Sequence, residues 1–156
     1  AQLGMGPTEL LDRAGAELDL RGDDHFATVL VGKVDTARRK LTLASAGHLP
    51  PLLVKGGQVE IVKLAAGVPL GVHGQPPEAT TVAFGPGSTV VAFTDGLIEK
   101  RGEDLNEGLG RLVSAASATP GTAERLIEHI LSTLATPDHE DDIAILAIQS
   151  VRPHDQ

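Results

Sequence analysis

Two acidic positions are the part of this sequence best placed to do chemistry. Asp95 follows an apolar run, Ser88 to Thr94, and is followed by Gly96. Asp141 and Asp142 are entered through His139 and Glu140 and precede a second run, Ile143 to Ile148. One acid comes after its strand, and the other comes before. If the two strands lie antiparallel and close, Asp95 and Asp141 meet at one sheet edge. Carboxylates brought together repel unless a proton or a cation sits between them. A hard divalent ion with oxygen ligands is the natural occupant, which makes a metal-dependent hydrolase the leading expectation.

Bland readings stand beside this one. Asp-Gly after a strand is most often a turn, because glycine accepts positive φ. Leu97-Ile98-Glu99, however, does not begin a partner strand of matching length; it leads into a charged loop and then a helix. Acids before a strand are usually solvated or cap something. Here Asp138, Glu140, Asp141 and Asp142 crowd one short stretch, and such crowding costs stability without a compensating cation.

Other constellations carry less. His48, in Gly47-His48-Leu49-Pro50, reads as a hydrogen-bonded loop residue. His25, His73, His129, His139 and His154 show no HExxH-type spacing, so no zinc site is expected. Gly67 to Gly71 lacks the GK[ST] of a P-loop. Ser45 lacks a G-x-S-x-G frame. Arg38-Arg39-Lys40 reads as a solvated hairpin tip.

The elements that must position the acids follow from periodicity. Pro7 to Leu20 has Leu10, Leu11, Ala14 and Leu18 at helical spacing. Arg21 to Asp24 is a turn. Phe26 to Val34 and Lys40 to Ala44 form a hairpin around Asp35 to Arg39. Ala46 to Pro51 is a loop, since two prolines cannot sit in a central strand. Leu52 to Val54 and Val59 to Leu64 flank Lys55-Gly56-Gly57-Gln58, a second hairpin. Thr80 to Phe84 and Ser88 to Thr94 surround Gly85-Pro86-Gly87, a tight turn. Leu105 to Ala118 is a helix. Thr119-Pro120 reads as the N-cap and first turn of another, which runs to Leu134 with Leu126, Ile127, Ile130, Leu131 and Leu134 in one stripe. Asp142 to Val151 closes the chain as a strand. Many short strands, mostly in hairpins, then two helices and a final strand make an α+β order with a largely antiparallel sheet.

Composition bounds the rest. At 156 residues, 41% of them hydrophobic, this is a single domain or part of one. Aromatics are 2%, so the core is aliphatic. With no cysteine there are no disulfides and no thiolate metal sites, which suits a cytoplasmic setting. A net charge of −8 argues against nucleic acid, which needs clustered Lys and Arg. No apolar stretch approaches the roughly 20 residues of a membrane span, and no signal peptide is legible. The chain opens on Ala1 in what reads as the approach to a helix, which suggests an excised piece of a longer protein.

A series of motifs in order carries a family resemblance. These are Phe26-Ala27-Thr28, Ala46 to Leu53 (AGHLPPLL), Gly67-Val68-Pro69-Leu70-Gly71, Thr94 to Glu99 (TDGLIE) and Asp141-Asp142-Ile143-Ala144. The chain resembles the bacterial SpoIIE-like branch of the PPM (type 2C) serine/threonine phosphatases over roughly Pro7 to Ile148. The resemblance implies a β-sandwich of mainly antiparallel strands flanked by helices. It implies two Mn²⁺ or Mg²⁺ ions at the sandwich edge and hydrolysis of phosphoserine or phosphothreonine by metal-activated water. Implied substrates are phosphorylated proteins, such as an anti-anti-sigma protein of the STAS type. By motif position, Asp95 and Asp141 are the implied catalytic metal ligands, Asp142 a lesser-ranked neighbour that orients water or a ligand, and Gly96 backbone support.

One part of the pattern is missing. The family's early Asp-x-x-Gly-x-Gly segment, whose aspartate bridges both metals, has no counterpart; Gly4-Met5-Gly6 holds no acid, and Asp23 and Asp24 come too late. The expectation is therefore the C-terminal two-thirds of a phosphatase domain, with weak metal binding and little turnover by itself. Unpaired sheet edges would favour a homodimer. A degenerate relative kept as a regulatory binding module is the alternative, and an unrelated β-rich binding domain with solvated acids is the third reading.

Overall fold

The computed structural model describes residues 4–19, 26–65, 67–75, 77–118, 121–135 and 141–151. The chain divides into two compact units, residues 1–50 with 63–84, and residues 51–62 with 85–156. Each carries its own antiparallel sheet.

In the first unit, helix α1 (Pro7–Asp19) packs on strands β1 (Val29–Asp35) and β2 (Lys40–Ala46). Leu11, Ala44, Ala46 and Leu70 form the buried cluster, with Leu18, Val29 and Val31 packed against it. Leu11 and Leu18 come from the helical stripe read in the sequence. The β1–β2 hairpin runs in register from Val29↔Ala46 to Asp35↔Lys40. At its tip Arg39 takes φ 52°, a left-handed conformation uncommon for a non-glycine residue. Arg38, Arg39 and Lys40 are exposed there, as expected. Strand β5 (Thr80–Ala83) adds to the far side of β2.

In the second unit the strand order is β4 (Gln58–Ile61), β3 (Leu52–Lys55), β6 (Ser88–Phe93), β7 (Ile145–Gln149). Helix α2 (Leu105–Ser117) packs on β3 and β4, and α3 (Ala123–Leu134) on β7 and α2. Leu112, Ala115 and Ala116 of α2 are buried; of the α3 stripe Leu126, Ile130 and Leu134 are buried, and Ile127 and Leu131 are half-buried. The side chain of Asp104 caps α2 by accepting from Asn106 N at 2.7 Å.

Several boundaries differ from the sequence reading. β1 begins at Val29 rather than Phe26, β4 ends at Ile61 rather than Leu64, and β7 spans only Ile145–Gln149. Strand propensity at these ends is not matched by a partner strand: Ala27 makes only an isolated bridge to Leu70. α3 starts at Ala123, capped by Thr122, whose hydroxyl accepts from Arg125 N at 3.4 Å; Thr119 and Pro120 lie outside the described residues, as do Arg21 to Asp24. The strands around Gly85-Pro86-Gly87 do not pair with each other. β5 joins β2 and β6 joins β3 and β7, so this turn carries the chain from one sheet to the other. The α+β class and the antiparallel sheets are as expected.

Candidate metal centre

β6 is a run of β-branched and apolar residues whose Val90, Val91 and Phe93 are buried. It therefore sits inside its sheet, paired with β3 on one side and β7 on the other. The β6–β7 ladder runs antiparallel and ends at Phe93↔Ile145. The residues just past that rung are Thr94-Asp95 on one strand and Asp141 to Ala144 on the other. The tail of one strand and the head of the next thus occupy one end of the ladder.

Thr94 ties that end together. Its backbone N–H donates to Ala144 O at 3.0 Å. Its hydroxyl accepts from Ala144 N at 2.8 Å and donates to Asp142 O at 3.1 Å. In the sequence Thr94 ends the apolar run and opens TDG, and neither pattern gives it a role; a hydroxyl directly before the acid is the signal available.

After Thr94 the chain enters a single 3₁₀ turn, Asp95–Leu97, closed by Ile98 N and Glu99 N donating to Asp95 O, both at 2.8 Å. Leu97 and Ile98 are each 1% exposed and anchor it. Gly96 is present for space rather than for positive φ: a Cβ there would stand 2.6 Å from Asp142 O and 3.1 Å from Asp141 O. The Asp-Gly pair is therefore a close backbone crossing and not a hairpin turn.

The three sequence-predicted acids are all exposed. Asp95 Oδ1 accepts from Gly96 N at 3.0 Å, and Asp141 Oδ1 accepts from Asp142 N at 2.8 Å. Each of these carboxylates spends one oxygen on a local backbone N–H. Gly96 and Asp141 line a cavity of about 400 Å³ whose remaining wall is the loop 99–103. Asp95 is not among its lining residues. The structure brings Asp95, Asp141 and Asp142 to one ladder end, but among the described residues no three Asp, Glu or His side chains cluster closely enough to hold a metal ion. Asp138, His139 and Glu140, which crowd the acidic stretch in sequence, lie outside the described residues.

His48 lies in the first unit. Its Nδ1 is 3.3 Å from Thr28 Oγ1, and the Ser45 hydroxyl accepts from His48 N at 3.0 Å and donates to His48 O at 2.9 Å. Those bonds hold the loop, in keeping with the structural reading of this histidine.

Comparison with solved structures places the fold. The chain is similar to the RsbU and RsbW domains of a Mycobacterium tuberculosis protein, with 26% identity and a TM-score of 0.85 over 96% of the chain. It spans 43% of that structure, less than half its length. The SiaA PP2C domain of Pseudomonas aeruginosa matches at 21% identity and a TM-score of 0.72, covering 92% of this chain and 59% of that one. The manganese-presoaked phosphatase domain of the cell fate determinant SpoIIE from Bacillus subtilis matches at 18% identity and a TM-score of 0.66, covering 99% and 71%. The antiparallel sheets and their helices are those of the PP2C phosphatase fold. The profile of the Stage II sporulation protein E (SpoIIE) family matches residues 1–151, nearly the whole sequence, and the chain belongs to that family.

Proposed function

We propose that this chain is part of a metal-dependent protein phosphatase. It hydrolyses phosphoserine or phosphothreonine on a regulatory protein in bacterial stress or sigma-factor signalling. The observation that carries this reading is the Thr94 tie, which brings the end of β6 and the approach to β7 together although Thr94 and Asp142 are 48 residues apart. Asp95 and Asp141 would hold Mn²⁺ or Mg²⁺, with Asp142 beside them. Magnesium-type sites use one or two carboxylates and keep several waters. Two exposed carboxylates, each with one oxygen uncommitted to a backbone N–H, fit such a site. When bound, a pair of such ions supplies an activated water and neutralises charge on the phosphoryl oxygens. The chain's own part is to hold the carboxylates in place through Thr94 and through the close crossing at Gly96.

The names of the similar structures, an RsbU and RsbW pair and a cell fate determinant, support a phosphorylated regulatory protein as substrate. The family resemblance implies an anti-anti-sigma protein of the STAS type. No described helix is long and apolar enough to cross a membrane; a cytoplasmic setting rests on the cysteine-free sequence. Leu146 and Ile148, 59% and 43% exposed on edge strand β7, support a homodimer.

The second reading, a degenerate phosphatase domain acting as a regulatory binding module, is favoured by one observation: among the described residues no group of three metal-ligating side chains forms. Mn²⁺-dependent hydrolysis of p-nitrophenyl phosphate by the full-length protein decides between them. Asp95→Asn or Asp141→Asn is expected to lower kcat/KM about 100-fold or more, roughly 3 kcal/mol of transition-state stabilisation. Mn²⁺ should raise the melting temperature of the native protein and not that of the variants. Equal cleavage by native and variant protein refutes the site. No cleavage by the native protein, with retained binding of a phosphoprotein, supports the binding module.

A further inference from the structure

The cavity that contains Asp141 is walled by the loop 99–103, and that loop is held from behind by α2. Arg111, on α2, reaches both ends of it: one guanidinium nitrogen pairs with the Glu103 carboxylate, and another donates to Ile98 O at 3.3 Å. Gly108, one turn earlier on the same helix, lets the backbone of residue 98 lie directly on α2; a Cβ there would overlap the Ile98 carbonyl oxygen. Within the loop, Glu103 N donates to Lys100 O at 3.1 Å, closing a turn. A planar guanidinium can join two acceptors in fixed geometry, which a lysine ammonium on a flexible stem does less well.

This clamp lies beside the candidate metal centre and supplies none of its proposed ligands. The wall it holds presents charges of both signs, with Glu99 and Lys100 lining the same cavity as Asp141. Small phosphate esters need no such wall, since charge on the phosphoryl group would be met at the proposed metal site. A polypeptide continuing past its phosphorylated residue does have somewhere to lie along it. We propose that Arg111 is a positioning residue. It fixes the 98–103 loop as the wall that recognises the polypeptide flanking the phosphorylated residue. The inference rests on the phosphatase reading given above.

The test uses the full-length protein with Mn²⁺ and two probes, a synthetic phosphoserine peptide and p-nitrophenyl phosphate. Arg111→Gln should raise KM for the peptide about tenfold while changing its kcat less than about twofold, and should shift KM for p-nitrophenyl phosphate far less. Arg111→Lys should recover part of the peptide KM, because it keeps the charge opposite Glu103. Equal losses on both probes, or no change in peptide KM, overturn the proposal. Should Arg111→Gln fail to fold, Glu103→Gln removes the same ion pair from the loop side and must show the same rise in peptide KM. Should the native protein cleave neither probe, the phosphatase reading fails by itself. Hydrogen exchange at the amides of 98–103 then judges the clamp: faster exchange in Arg111→Gln upholds positioning, and unchanged exchange overturns it.

Discussion

The β1–β2 hairpin and the β6–β7 ladder are both antiparallel pairs, yet they are held by different means. The hairpin closes through a short tip where Asp35 accepts from Arg38 N at 2.8 Å and pairs with the Arg38 guanidinium at 2.9 Å. Its register is set by its own turn, a few residues from every rung. The β6–β7 ladder closes only after the chain has passed through the 3₁₀ turn, α2 and α3. Its register is pinned at the far end by Thr94 and by the backbone crossing over Gly96. The acids sit on the pair whose alignment depends on tertiary structure. A local turn would bring together only residues close in sequence, whereas a long-range ladder brings two distant acidic segments to one end of a strand pair.

Gly96→Ala is the sharpest way to break that contrast. The new methyl meets the Asp142 carbonyl oxygen, a backbone atom that cannot swing aside. We expect a loss of about 1–3 kcal/mol, the usual range for overpacking, with Mn²⁺-dependent activity falling as Asp141 and Asp142 are pushed away. Urea denaturation and Mn²⁺ titration measure the two effects. Full stability with full activity would show that the crossing is slack.

Thr94→Val removes the hydroxyl but keeps the shape. It should cost about 1–2 kcal/mol, since Ala144 N–H loses its hydroxyl acceptor and Asp142 O its hydroxyl donor. Apparent Mn²⁺ affinity should weaken, while hydrogen exchange in β1 and β2 stays at the native rate. If exchange in the hairpin rises equally, the two pairs do not behave as separate units.

The hairpin offers the smallest effect. The backbone N–H of Arg38, and then its side chain, hold the Asp35 carboxyl below its usual range. A carboxyl whose pKa is depressed by folding lends stability above its unfolded value, near 3.8, and that stability is lost as pH falls through the lower folded value. Unfolding midpoints in urea should therefore decline slightly below about pH 4, and Asp35→Asn should flatten that part of the profile. Asp35 is half-buried at a solvated tip, so the change should be small; a large drop would mean that the tip does more than close its hairpin. Glu124 responds in the same direction, through its own backbone N–H and then the Thr122 hydroxyl.

Much of the molecule was legible in the residues alone. Leu11 and Leu18 at helical spacing gave α1, and Leu126, Ile130 and Leu134 gave the buried stripe of α3, because period and burial share one cause. The order of TDG and DD pointed to one ladder end. Element ends were less legible: Thr119-Pro120 carries a sound capping signal, but Thr122 caps α3. Local signals compete, and packing against the sheet decides which one is used.

By itself the sequence determined the α+β order, the absence of thiolate chemistry and a core that is aliphatic except for its few phenylalanines, of which Phe84 and Phe93 are buried. Each follows from composition or from a period of a few residues. Only the tertiary structure decided that β5 leaves the β6 side for another sheet, that Gly96 serves close approach, that Thr94 is the tie, and that Arg111 clamps the loop beside Asp141. Those facts depend on which backbones meet across dozens of intervening residues, and no local pattern of side chains records such a meeting.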